Sequence, residues 1–295
     1  MAHRAAKLLT GFFVGAVVLL AAALVLTLSR PASPPPPLPQ PNGYDDFVKA
    51  AAMAADNTPD YATMGAEELR ALVRTNAEAL KLARVGLGRE CQVPLAYLES
   101  YTTNISHLAG FKRLAFTFAA EGRLAEMENR IADAMEAYLA VIRLGQAMSR
   151  GGLIIDSLVG IAIQSIGEAR LEKLALTLNA SQCREAVTVL EVVEARREPM
   201  ETIRAREREW ARRLWGFKGQ IARLLSYQSL RQSEQKWVAR EKAQQIRAQV
   251  LLIQLATRAY ELEKGDRPKH LADLVPVYLT AIPQNPVTGT NMSYP

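Results

Sequence analysis

Histidine is nearly missing from this chain, with three in 295 residues at the widely separated positions 3, 107 and 270. There is no His-Glu-x-x-His, no Gly-x-Ser-x-Gly and no phosphate-binding glycine loop. The spacings that zinc hydrolysis, serine hydrolysis and nucleotide hydrolysis require are therefore absent. Cysteine is as scarce, with Cys91 and Cys183 alone and no Cys-x-x-Cys, which removes zinc-finger and thioredoxin-like chemistry. Aromatic residues make up 6% of the chain, so strand formers of that kind are few. Ala, Leu, Glu, Arg and Gln abound instead, and these lose little side-chain entropy in a helix. The fold class expected is all-α, with no catalytic, cofactor-binding or metal site and no cofactor.

Long apolar runs are also lacking, with one exception. Arg4 and Lys7 precede a stretch from Leu8 to Ser29 without a charged residue, rich in Val, Leu, Ala and Phe. A hydrocarbon core of ~30 Å needs ~20 apolar residues as a helix, so the run fits a transmembrane span. A cleaved signal peptide has a shorter apolar region of ~7–15 residues before a small-residue cleavage site. The run is longer, and Arg30-Pro31 follows it, so an uncleaved anchor is expected. Positive charge on the N-terminal flank holds that flank in the cytoplasm. The bulk then lies in the periplasm or an equivalent space, and the chain is a single-pass protein of the inner (cytoplasmic) membrane. Seven prolines between positions 31 and 41 make an extended spacer at ~3.1 Å per residue.

Charge is unevenly spread. From 31 to 195 there are 15 basic and 20 acidic residues, while from 196 to 247 there are 14 basic and 6 acidic. A basic stretch can meet anionic lipid or phosphates, or can pair with an acidic front half of the same chain. Its apolar members, Ile203, Trp210, Leu214, Phe217, Ile221 and Leu224, follow heptad spacing, with Glu207 as the misfit. The bundle-helix alternative leaves its arginines solvated or paired. The contact alternative makes Trp210, Arg212, Arg213, Trp215 and Lys218 an interaction surface. Cys91 and Cys183 allow either one disulfide, in an oxidising compartment, or two buried thiols.

Helical periodicity runs through the body. Asp45 or Asp46 is placed to cap a helix with Phe47, Val48 and Ala51 inward, and a second helix is expected from Gly65 to Ala83. From His107 to Leu178 helices follow one another, with Gly122 and Gly151-Gly152 as breaks. Short breaks favour antiparallel hairpins. Phe118, Gly122, Ala134 and Tyr138 fall near the offsets of one tetratricopeptide unit, but no 34-residue repeat follows. The body is thus a helical-hairpin bundle, tetratricopeptide-like at most. From 184 to 247 one or two long helices are interrupted near Pro199. A last helix spans about Ala243 to Glu263, with Gly265 at its C-terminal stop and a small Pro-rich tail beyond. The divisions expected are 1–30 cytoplasmic tip and anchor, 31–42 linker, 43–242 helical domain, and 243–295 final helix and tail.

In that tail, Gly265-x-x-Pro268-x-x-Leu271-x-x-Leu274-Val275-Pro276 resembles the region after the N-terminal helix of type II secretion pseudopilins. The likeness covers about the last fifty residues. The matching N-terminal site is absent, since Gly11-Phe12-Phe13-Val14-Gly15-Ala16 carries no glutamate. The whole chain resembles a family of bacterial proteins with one anchor, a helical body and this tail, which implies a topology and no activity. Asp266, Asp273 and Asn285 are read as caps and turn formers, not calcium ligands.

The function expected is a membrane-anchored scaffold or interaction protein whose partners are the membrane and another envelope protein, nucleic acid not among them. An accessory subunit of a type II secretion or pilus-like assembly is the second reading. An enzyme with a dispersed site is the third, and converging carboxylates in a deep polar pocket, or His107 in one, would mark it.

Overall fold

The computed structural model describes residues 37–55, 60–95, 101–225 and 227–293. The run Leu8–Ser29 lies outside them, and no helix among the described residues is long and apolar enough to cross a membrane. The described chain is all-α. Its helices are α1 (Gly43–Met53), α2 (Ala66–Thr75), α3 (Ala77–Leu87), α4 (Tyr101–Met127), α5 (Ile131–Ala147), α6 (Ile154–Leu174), α7 (Ala180–Ala195), α8 (Met200–Leu225) and α9 (Tyr227–Lys264). A 3₁₀ turn at Leu271–Leu274 follows, and an isolated antiparallel bridge joins Gln284 to Asn291.

The helix ends carry their own causes. Asn42, not Asp45 or Asp46, caps α1, its side chain accepting from the Tyr44 N–H at 3.2 Å. Asp46 is buried and takes an ion pair from Arg89 at 2.7 Å. The single helix expected over 65–83 is two, α2 and α3, with Asn76 between them. Asn76 is buried, accepts from the Ala55 N–H at 3.0 Å and donates to the Leu72 carbonyl at 2.9 Å. A side chain that bonds backbone groups in this way competes with the helix ladder and bends the chain. Asn76→Ala is expected to leave the Ala55 N–H unpaired, the Leu72 carbonyl keeping its bond from the residue 76 N–H, and cost about 1–2 kcal/mol, read by urea unfolding.

Gly122 is not a break. Helix α4 runs through it, because the missing side chain makes room for the Tyr138 ring of α5. A Cβ there would lie 2.5 Å from that ring. The chain stops instead at Asn129, which takes φ 56°. The Arg130 N–H bonds the Ala125 carbonyl at 2.8 Å and the Asn129 N–H bonds the Glu126 carbonyl at 3.0 Å, a Schellman closure. Gly151 and Gly265 sit where sequence places them, both with positive φ, and the Gly265 N–H closes α9 onto the Glu261 carbonyl at 2.9 Å. Helix α9 begins at Tyr227, well before the expected Ala243. Pro268 is buried but opens no helix, and the turn begins only at Leu271.

Two apolar clusters share α5 between them. The first joins α1, α3, α4 and α5 through Phe47, Leu80, Phe111, Phe118 and Leu144. There Phe47 and Tyr44 meet the Phe111 ring edge to face, at 6.4 and 5.3 Å between centroids. The second joins α5, α6, α7 and α9 with the tail, through Ile142, Leu171, Leu190, Leu255, Leu274 and Tyr278. The tail is tied down by polar bonds as well, Tyr278 Oη to Glu263 at 2.8 Å and Thr280 N to Glu191 at 2.7 Å. Helix α5 is apolar on most sides, which suits a helix buried between two layers.

Candidate functional site

Where the two clusters part, α5 is left as the floor of a cleft walled by the end of α3 and by α7. Arg143, Gln146, Ala147 and Arg150 follow one another along α5 and the turn after it at steps of three, one and three, which puts them on one face. From α7 come Val189, Val192, Val193 and Arg196, and from the α3 end Leu87, Arg89 and Cys91. The cavity is about 320 Å³.

Four guanidinium groups line this space, and one of them is neutralised. Arg89 holds Asp46. Among the described residues, Arg143, Arg150 and Arg196 make no ion pair. Arg143 Nη2 donates to the Leu87 carbonyl at 3.0 Å, one of the carbonyls left open at the end of α3. Burial first and the neighbouring Arg196 charge second push the Arg143 pKa down, against the pull of Glu136. Gln146 Nε2 reaches the Arg196 carbonyl at 3.1 Å and so ties α5 to the end of α7. Burial pushes the Cys91 thiol up to about 12, against the opposing pull of the Arg150 charge. No carboxylate or histidine lines the cleft among the described residues. The arrangement can hold an anion, since a guanidinium fork takes carboxylate or phosphate with two bonds. It offers no acid–base pair.

The residues singled out on α8 behave otherwise. Trp210 is 1% exposed and belongs to the interior, a correction to its place on a contact surface. Arg212 and Arg213 both pair with Glu209, at 3.3 and 3.4 Å. Arg204 pairs with Glu234 at 2.6 Å and Arg206 with Glu198 at 2.6 Å. Glu207, the misfit in the heptad, accepts from the Ile154 N–H at 3.0 Å and closes the start of α6. The side chains of Trp215 and Lys218 lie outside the description. The cysteines do not form a bridge. Both are free and buried, Cys91 in the first cluster and Cys183 in the second, with α5 contributing to each.

A second polar concentration lies between α6, α7 and α9. Trp237 Nε1 donates to Ser157 Oγ at 2.9 Å, and Ser157 donates to Glu241. Arg197 bridges Glu241 and Glu194, at 3.3 and 2.6 Å. Gln244 Nε2 donates to Glu168 at 2.6 Å. The void beside Ser157, Arg197 and Glu241 is about 30 Å³, about one water's share of liquid volume. Glu194 and Glu241 hold helices together through Arg197, whereas Glu168 keeps one oxygen without a partner among the described residues, beside a cavity of about 180 Å³ between α6 and α9. His107 is half-buried against Phe111, ring centroids 6.5 Å apart.

The sequence carries no mark that singles out the cleft. Arg143, Arg150 and Arg196 each lack an acidic residue three or four positions away. Arg197, Arg204, Arg212 and Arg213 each have one. Arg84, Arg89 and Arg184 lack one as well and still pair across helices, with Glu121, Asp46 and Glu263, so a missing helical partner does not single out the cleft. Compared with family models, curated proteins and solved structures, the chain matches none.

Proposed function

We propose that this chain is a membrane-tethered interaction protein, its helical body outside the cytoplasm, which holds an anionic group of its partner in the α3–α5–α7 cleft. The observation that carries this is the convergence of three guanidinium groups without a carboxylate over a wall of valines. Like charges gathered at a rim lower stability, so their grouping is better explained by a ligand than by the fold. Such a cavity lies within the ordinary size range for small-ligand sites, ~300–1,000 Å³, and combines apolar lining with a few convergent polar groups. The tether rests on the Leu8–Ser29 run and the basic residues before it.

Two measurements test the two halves. Alkaline phosphatase fused after Pro295 should be active in cells and stay with carbonate-washed membranes, whereas an inactive fusion would remove the extracytoplasmic placement. For the cleft, citrate or inorganic phosphate at about ten times its dissociation constant should stabilise the full chain by about 1.4 kcal/mol. The double variant Arg143→Gln, Arg196→Gln should lose that response while unfolding within about 1 kcal/mol of the parent, because no ion pair is broken and only the Arg143 bond to the Leu87 carbonyl is lost. An equal ligand shift in the variant would place the anion elsewhere.

A further inference from the structure

We infer that the cleft receives the phosphate headgroup of an anionic phospholipid in the membrane that carries the chain. The inference rests on the anion-binding and tether readings above, and it names their ligand. The position of the cleft supports it first. Where the described chain enters its first helix, Asn42 is pinned to the segment that forms one wall. Asn42 Nδ2 donates to the Gln92 carbonyl at 2.8 Å, the Gln92 N–H returns to Asn42 Oδ1 at 3.0 Å, and the Gly43 N–H bonds the Glu90 carbonyl at 2.8 Å. Arg89 and Cys91, which alternate with these residues, line the cavity. The spacer therefore joins the folded body at the edge of the cleft. Eleven residues, 31–41, reach at most about 40 Å however they are arranged. A tether of that reach keeps headgroups at an effective concentration of about millimolar or more.

The lining supports it second. The arginines stand opposite aliphatic side chains, and Val192 is 46% exposed among them. A free inorganic anion has no use for such surface, whereas a glycerophosphate with the first carbons of its chains does. Size supports it third. A space of about 320 Å³ equals about ten water volumes. That takes a headgroup and leaves the acyl tails outside, as a lipid that stays in its bilayer requires.

The test uses the full chain in nanodiscs of phosphatidylcholine, alone or mixed with phosphatidylglycerol, followed by hydrogen exchange. Phosphatidylglycerol should slow exchange in 143–150 and 188–196 by about tenfold. The triple variant Arg143→Gln, Arg150→Gln, Arg196→Gln should lose that protection while keeping the parent's exchange across α4 and α6, which shows that it is folded. Equal protection in the variant, or none in the parent, would overturn the inference. Glycerol phosphate added to phosphatidylcholine discs separates the two levels. Arginine-dependent protection by that free anion alone would sink the lipid assignment and keep the anion site. Protection by neither would sink both.

Discussion

Gly145→Leu is expected to cost about 3 kcal/mol or more and to lower the melting temperature by about 6–12 °C. The reason is a close backbone approach between α5 and α6. A Cβ on Gly145 would stand 2.6 Å from the Gly160 carbonyl oxygen and 2.9 Å from the Gln164 backbone nitrogen. A Cβ on Gly160 would meet the Gly145 carbonyl oxygen at 2.6 Å in return, so the two helices touch main chain to main chain. A side-chain neighbour could rotate away, but a carbonyl in a helix moves only with its helix. Separating α5 from α6 would also open both clusters, since α5 contributes to each. Gly88→Ala is the matched control. Its Cβ would sit 3.4 Å from the Val85 carbonyl oxygen with the backbone already in right-handed helical geometry. It should unfold with the parent. Urea or thermal unfolding of the two variants decides the matter, and a Gly145→Leu protein as stable as Gly88→Ala would mean that the helices cross elsewhere.

These glycines also mark the limit of what sequence periodicity conveys. The helices themselves were legible because apolar residues recur at three and four, because Gly265 and Gly151 turn the chain at positive φ, and because Pro199 stands at the start of α8. Gly122 misled for the same reason. A glycine within an apolar stripe reads as a stop, yet here it answers to Tyr138, a residue on another helix. Asn76 misled in the opposite direction, since a residue that bends a helix through a bond to Ala55 carries no mark of that partner along the chain.

The cleft was illegible for a related reason. Its charges come from positions 89, 143, 150 and 196, and the first three sit in a stretch whose sum is negative. Counting charge along the chain placed the basic surface on α8. There, acidic residues three or four positions away, together with Glu198 and Glu234, neutralise much of it. Charge that survives local pairing is the quantity that bears on binding. It emerges only when each arginine is matched against the carboxylates within its reach.

Glu168→Gln is expected to stabilise the protein at neutral and alkaline pH and not in acid. Burial pushes the Glu168 carboxyl up from its ordinary 4.5 to about 7, more than the Gln244 hydrogen bond and the Arg197 and Arg247 charges bring it down. One oxygen accepts from Gln244, and the other is buried without a hydrogen-bond partner among the described residues. A carboxyl whose folded pKa lies above its unfolded one binds more protons when native. Its stability contribution is therefore intact below about pH 4.5 and is lost as pH rises through about 7. With the residue only 7% exposed, the loss at about pH 8 is on the order of 3 kcal/mol. Glutamine keeps an acceptor for Gln244 and has no charge to desolvate, so the variant should gain about that much at about pH 8 and nothing at about pH 4. Asp156 gives the experiment an internal reference, because burial raises it to about 6, against its bond from the Leu153 N–H at 2.7 Å. Its contribution has the same sign but ends lower in pH. Urea unfolding across pH should thus show the slope between about 6 and 7 disappear in Glu168→Gln, and the slope between about 4.5 and 6 fall to the part that Asp156 contributes. Curves that stay parallel to the parent over the whole range would mean that Glu168 is already charged and solvated in the native fold.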